Sequence, residues 1–258
     1  MNFDIEQTVL AELKAAGVRG VLGLKICSEL PSRKSRAYLV ELCHAAEDGP
    51  GAPARGSNHS QAVVKIYPDP GRAAREADVL ARLAAAGVRV PRPFSPGTAA
   101  LVRGYISGPT LSALLSASPR ADDHLLASAL ARWLFGCHAA LRRDDGATHL
   151  VGDMNLRNFI CPNPSEIWGI DFGDTRPGDP LADLGEACMF ILTHEPSFTS
   201  ERWSFARRLV HDYGNLAGRD LSRDVVPHVV AALTLAAARR GRPALAERAL
   251  TLDAAVFR

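Results

Sequence analysis

Apolar positions along the chain alternate between helical and strand periods, and the changes of period fall at Gly and Pro. In residues 3–16, Ile5, Val9, Leu10 and Leu13 share one helical face, and Gly17 closes that helix. Residues 22–30 and 36–43 read as two strands joined by Pro31-Ser32-Arg33-Lys34-Ser35. Residues 44–60, rich in Gly, Pro, Ala and Ser, read as an insertion between strands. A third strand follows over 61–67, Gln-Ala-Val-Val-Lys-Ile-Tyr, then a helix over 71–86 with Ala77, Leu80 and Leu83 periodic and Gly87 as its stop. Residues 99–102 form a short strand, and Gly108-Pro109-Thr110-Leu111 reads as a turn into a helix N-cap. A long helix over 122–143 carries an apolar face of Leu126, Leu130, Trp133, Leu134 and Cys137. After a Pro/Asn turn at 162–165 comes a short apolar strand, 167–170. The pattern is then helical over 181–192, 203–213, 225–240 and 243–257.

Composition narrows the class. At 258 residues, 47% apolar and 22% charged, the chain fits one large globular domain or two lobes. A net charge of +2 gives no bulk attraction to nucleic acid or to a membrane surface. The 5 cysteines are odd in number and scattered, with no C-x-x-C pair, which fits reduced thiols and a cytoplasmic protein. Asp4, Glu6 and Glu12 stand where a secretory signal would be basic and apolar. The longest apolar run, 225–238, contains Pro227 and His228 and is too short to span a bilayer. Gly17, Gly20 and Gly23 lack the spacing of a dinucleotide fingerprint, and His124 and His138 lack a metal spacing. Cations are lopsided: Lys14, Lys25, Lys34 and Lys65 are the four lysines, and every other basic side chain is Arg. A lysine therefore carries more information here than usual, above all Lys65, set in a strand among Val63, Val64 and Ile66.

The candidate chemistry is concentrated in residues 149–174. Asp153 is followed five positions later by Asn158, and the apolar strand 167–170 ends on Asp171-Phe172-Gly173. Phosphoryl transfer from a nucleotide needs such a set. One carboxylate orients the attacking hydroxyl and accepts its proton, while an amide and a second carboxylate hold Mg²⁺. Asp153 is the candidate base, and Asn158 and Asp171 are the candidate metal ligands. Arg157, just before the amide, can reach a transferred phosphate or pair with Asp174 or Asp179, and Asn155 can help orient a substrate. A hydrolytic metal cluster among Asp171, Asp174, Asp179 and Asp183 lacks His ligands.

The order D-x-x-x-x-N, strand, Asp-Phe-Gly resembles a kinase catalytic loop. The continuation, Asp171-Phe172-Gly173-Asp174-Thr175-Arg176-Pro177-Gly178-Asp179-Pro180-Leu181-Ala182-Asp183-Leu184-Gly185, resembles more closely the aminoglycoside phosphotransferase and choline kinase group of small-molecule kinases. A second block, Glu76 to Leu83 through Gly87-Val88-Arg89-Val90-Pro91-Arg92-Pro93, is similar to the same family. The resemblance implies an α+β, two-lobed, protein-kinase-like fold. A five-stranded antiparallel N-terminal lobe (residues 1–107, with the hinge at its end) would precede a mainly helical catalytic and substrate lobe (residues 108–258).

It also implies roles. Lys65 would hold the α/β-phosphates and Glu76 would fix it, with Asp78 the competing partner. Ser32, Arg33 and Lys34 of the hairpin, which has no glycine, would lie by the phosphates. Backbone groups of Gly104, Tyr105 and Ile106 would read the adenine edge. Arg103 replaces a usual apolar residue there and leaves ATP or GTP open. Val151 replaces the usual loop histidine, and Asp183 would steady the catalytic loop, a carboxylate at a helix start being a natural cap.

The implied activity is Mg²⁺-dependent transfer from ATP to a hydroxyl of a small molecule. The alternatives on the same fold are an atypical protein serine kinase and a nucleotide-binding pseudokinase scaffold. The eleven residues between Asp171 and Asp183 are too few for an activation segment, which disfavours the first. Residues 195–258 carry ten arginines against seven acids, which suits a neutral or anionic alcohol better than a polycationic aminoglycoside.

Overall fold

Strand alternation and helix periodicity assign each face of the elements that position the site. The computed structural model describes residues 2–15, 18, 21–32, 34–44, 59–94, 100–117, 121–144 and 146–257. The chain divides into two compact units, Met1–Ala84 with Pro91–Ile106, and Ala85–Val90 with Ser107–Arg258.

The first unit contains α1 (Asn2–Ala15), β1 (Val21–Leu30), β2 (Arg36–His44), β3 (His59–Ile66), α2 (Pro70–Ala85, all but its last residue) and β4 (Leu101–Gly104). The four strands form an antiparallel sheet in the order β1-β2-β3-β4. A fifth strand was expected. Among the described residues its place is taken by a single antiparallel bridge, Pro93 to Arg103, with Phe94 N–H donating to Val102 O at 2.6 Å.

Side chains alternate across the sheet. Tyr38, Val40 and Leu42 of β2 and Ala62 and Val64 of β3 pack with Ile5, Val9 and Leu13 of α1 into one buried cluster. Burying a side chain such as Val64 completely is worth about 1.5–3 kcal/mol. The odd positions of β3, Val63 and Lys65, point to the other face, and there Lys65 meets Glu76 of α2. The helix over 71–86 and the strand over 61–67 are thus found with ends shifted by one or two residues. Much of the 44–60 insertion lies outside the described residues.

The second unit is mainly helical: α3 (Leu111–Ser116), α4 (Asp123–Ala140), α5 (Pro180–Leu192), α6 (Ser200–Ala217), α7 (Val226–Arg240) and α8 (Pro243–Leu250). Between α4 and α5 run β5 (His149–Leu150), a 3₁₀ turn (Leu156–Asn158), β6 (Phe159–Asn163), β7 (Glu166–Gly169) and β8 (Arg176–Pro177). β6 and β7 form one hairpin, and β5 pairs antiparallel with β8. The periodic face of α4 is buried as expected, and Trp133 stacks edge-on to Phe159 at 5.2 Å and lies 6.1 Å from Phe172. These three rings form an apolar floor beneath the loop that carries the candidate chemistry.

Several helix ends differ from the sequence reading, each for a local reason. The cap of α5 is Asp179, whose side chain accepts from Leu181 N–H, and Asp183 sits a turn further in. α6 begins at Ser200, capped by Thr199, and ends on Gly218 in the left-handed region. The final helix stops at Leu250, because Asp253 turns its side chain back on the Ala255 N–H and starts a 3₁₀ turn, Ala254–Phe257. Among the described residues no helix is long and apolar enough to cross a membrane.

Candidate active site

In the first unit the candidate nucleotide anchor is a closed ion pair. Lys65 Nζ lies 2.9 Å from both carboxylate oxygens of Glu76, and the two residues are 6% and 1% exposed. Asp78, the rival partner, is exposed. Tyr67, which the sequence reading did not single out, completes the cluster. Its hydroxyl donates to Glu76 Oε2, and Lys65 Nζ sits 5.2 Å above its ring. Two residues beyond Lys65, Tyr67 reads in sequence as the end of an apolar run. Removing one member of such a buried pair leaves an uncompensated charge and costs about 3–5 kcal/mol.

The other expected nucleotide residues of this unit are less committed. Ser32 is exposed and bonds Ser35 at 2.8 Å, and Arg33 lies outside the described residues. Gly104 N–H donates to Arg92 O at 3.0 Å, and Tyr105 N–H to Gln61 O at 3.3 Å. Of the three backbone donors proposed to read a purine, the N–H of Ile106 is the one left without an internal partner among the described residues. Arg103 is buried at 5% exposure in β4, with its guanidinium 3.3 Å from Gly104 O.

In the second unit the candidate catalytic turn is built by backbone constraint. Gly152 has φ +87°, and a Cβ there would sit 2.2 Å from Asp174 O, so the turn admits no side chain at this point. Asp153 follows, half-buried, with Oδ1 accepting from Asn155 N–H at 3.1 Å. Asn155 caps the 3₁₀ turn by accepting from Arg157 N–H at 3.1 Å. The Asn158 amide nitrogen donates to Asp153 O at 3.4 Å, which directs its carbonyl oxygen elsewhere. Ile170 N–H donates to Asn158 O at 2.9 Å and so brings the residue before Asp171 to Asn158, at the open end of the β6–β7 hairpin. Arg157 is exposed and forms no ion pair with Asp174 or Asp179.

Burial raises the Asp153 pKa, the Asn155 N–H opposes it, and the nearby carboxylates of Asp171 and Asp174 raise it further. That concentration of negative charge suits a divalent cation. Asn158 and Asp171 both carry side-chain oxygens of the kind Mg²⁺ takes, and are the candidate ligands on this unit. Among the described residues no group of three or more His, Cys, Asp or Glu converges on a common point, so no hydrolase-type cage forms.

α5 supports the turn from beneath. Asp183, 1% exposed, accepts from Val151 N–H at 2.6 Å and Gly152 N–H at 3.1 Å. His138 Nε2 lies 3.0 Å from Asp183 Oδ2 and His138 Nδ1 lies 2.8 Å from the Tyr213 hydroxyl. Facing a carboxylate, Nε2 carries the proton and Nδ1 accepts from Tyr213. His138 is thus a satisfied core histidine that orients Asp183, and Val151 is buried in apolar packing. Glu186, one helical turn beyond Asp183, accepts from Met154 N–H at 3.3 Å.

A two-unit chain with an antiparallel sheet carrying a Lys–Glu pair and a helical unit carrying Asp-x-x-x-x-Asn and Asp-Phe-Gly has the architecture of a phosphotransferase of the kinase-like class. Residues 53–150 match the APH family model, described as a phosphotransferase enzyme family; the match ends just before Asp153. Among solved structures, the chain is similar to the streptomycin–ATP–APH(2")-IIa ternary complex, with 13% identity, a TM-score of 0.62 and coverage of 100% of this chain and 98% of that one. It is also similar to the gentamicin–APH(2")-IIa complex (14% identity, TM-score 0.53, 97% of each chain). A third is the ADP-bound aminoglycoside phosphotransferase APH(2'')-Ib (14%, 0.54, 96% of this chain and 99% of that one). No curated protein sequence matches the chain. At such identities the likeness establishes the fold, and the two-lobed α+β expectation is met.

Proposed function

We propose that this protein is a Mg²⁺-dependent kinase that transfers the γ-phosphate of ATP to a hydroxyl of a small molecule. The observation that carries the reading is the catalytic turn: Asp153 held at a glycine-enforced bend, with Asn158 and Asp171 offering oxygens at the end of the neighbouring hairpin. Asp153 orients the acceptor hydroxyl and takes its proton. Its raised pKa makes it a better base than an exposed aspartate. Asn158 and Asp171 hold Mg²⁺, which neutralises charge on the phosphates. Lys65, fixed by Glu76 and Tyr67, holds the α/β-phosphates, and the Ile106 N–H reads the purine. Ser32 and Arg33 are the remaining phosphate contacts proposed for the hairpin, and Arg157 is proposed to touch the transferred group.

The ten arginines against seven acids in residues 195–258 support a neutral or anionic acceptor. The likeness to streptomycin- and gentamicin-bound structures supports the second reading, an aminoglycoside acceptor. A thermal-shift series with Mg²⁺, Mg·ATP and Mg·GTP, repeated on Asp171→Ala, tests the nucleotide site. Saturation at 100 times Kd adds ~2.7 kcal/mol to the folded state. No shift with either nucleotide would overturn the kinase reading. ADP release with streptomycin or gentamicin, against sugars and phosphorylated alcohols, then separates the two acceptor classes.

A further inference from the structure

Helix α5 grips the catalytic turn through three backbone N–H groups. Asp183 takes those of Val151 and Gly152, and Glu186 takes that of Met154 at 3.3 Å. The i, i+3 spacing puts both carboxylates on one face of α5. Asp153 lies between the two grips.

The grips differ in kind. Asp183 is buried and accepts from three donors, His138 being the third. Glu186 is partly buried, and the Met154 N–H is its one hydrogen-bond donor among the described residues. Burial first, then the charges of Asp153 and Asp183, push the Glu186 carboxyl up to about 7; the Met154 N–H and Arg176 act the other way. From α7, which packs against α5, His228 lies against Gly185 and its imidazole faces Asp179 at 3.6 Å; the charged groups acting on Glu186 are Asp153, Asp183 and Arg176.

We propose that Glu186 is a positioning residue for Asp153: its carboxylate fixes the far side of the turn as Asp183 fixes the near side, and its charge state sets how firmly the turn is held. The kinetic part of this inference rests on the kinase reading above; the hydrogen bond does not. A hydrogen bond to an ionised acceptor is roughly twice as strong as a neutral one, so protonating Glu186 loosens the grip on Met154.

Two variants separate charge from contact. Glu186→Gln keeps an acceptor for Met154 N–H without the charge, and Glu186→Ala removes both. In ¹⁵N NMR spectra of the whole protein, the Met154 amide should titrate with a midpoint of about 7. The Gly152 amide, held by Asp183, should not follow it. In Glu186→Gln the Met154 titration should vanish.

With Mg·ATP and water as acceptor, phosphate release by the wild type should rise through that same pH range, and Glu186→Gln should lack this rise. Glu186→Ala should lose roughly 10–10²-fold in kcat, as expected for a misaimed group, with KM for ATP unchanged. A Met154 amide that does not titrate, or one that still titrates in Glu186→Gln, would overturn the proposal, as would an unaltered kcat in Glu186→Ala. A wild type that releases no phosphate would count against the kinase reading instead, and the NMR result would still decide whether Glu186 holds the turn.

Discussion

Asp153 and Asp183 lie on either side of one short turn, and their environments are opposite. Asp183 is buried and receives two backbone N–H groups and an imidazole N–H. Asp153 is half-buried, receives one backbone N–H, and is surrounded by other carboxylates that raise its pKa. A buried carboxylate that already accepts three N–H groups has little left to offer a substrate and acts as a fastener. One kept short of donors and pressed by like charge is reactive toward a proton or a cation. The same residue type thus becomes scaffold or reagent according to how many donors the fold supplies.

The contrast is broken most sharply by Asp153→Asn, which should lose ~10²–10⁴-fold in kcat while unfolding at nearly the wild-type temperature. Full turnover in that variant would remove Asp153 from the chemistry. Asp183→Ala should do the reverse in kind: it leaves two backbone donors and the Nε2–H of His138 without their acceptor, at about 1–3 kcal/mol for each buried donor. Chemical denaturation measures this, and a change below about 1 kcal/mol would show that the fastener is dispensable.

Glu186 gives an intermediate case with a sign that depends on pH. Its carboxyl is raised from 4.5 to about 7, so the fold favours the protonated form. The stabilisation is complete below the unfolded value and disappears as pH rises through about 7. Glu186→Gln should therefore match the wild type near pH 4 and exceed its stability at pH 8 by up to about 3 kcal/mol. Equal stabilities at pH 8 would contradict the buried, crowded environment of this carboxylate. The smallest effect belongs to exposed Arg157: Arg157→Ala should change stability by less than about 0.5 kcal/mol. Turnover lost without a loss of stability would place it on the transferred phosphate, and full turnover would remove it from the site.

What was legible in the sequence followed local pattern. The Lys65 strand, the Glu76 helix eleven residues on and the D-x-x-x-x-N spacing all have short-range signatures, and the fold placed them as expected within their units. The reading of Asp183 as a support of the loop was right about its contacts and wrong about its being the cap, because Asp179 competes successfully for the N-terminus of α5. Glu186 and Tyr67 left no signal. A lone Glu on an apolar helix reads as its solvent side, and a Tyr at the end of an apolar strand reads as core. Only the approach of residues far apart in the chain, Met154 to Glu186 for example, shows otherwise.

The scarcity of lysine makes the molecule a convenient subject for covalent footprinting. Lys14, Lys25 and Lys34 are exposed, whereas Lys65 is closed in by Glu76 and Tyr67. An amine-acylating reagent applied to the native protein should mark three of the four lysines and spare the fourth, so peptide mass mapping reduces to a single diagnostic fragment. Marking of Lys65 then reports on the opening of its salt bridge, because the amine is buried against Glu76 and out of the reagent's reach until that bridge opens.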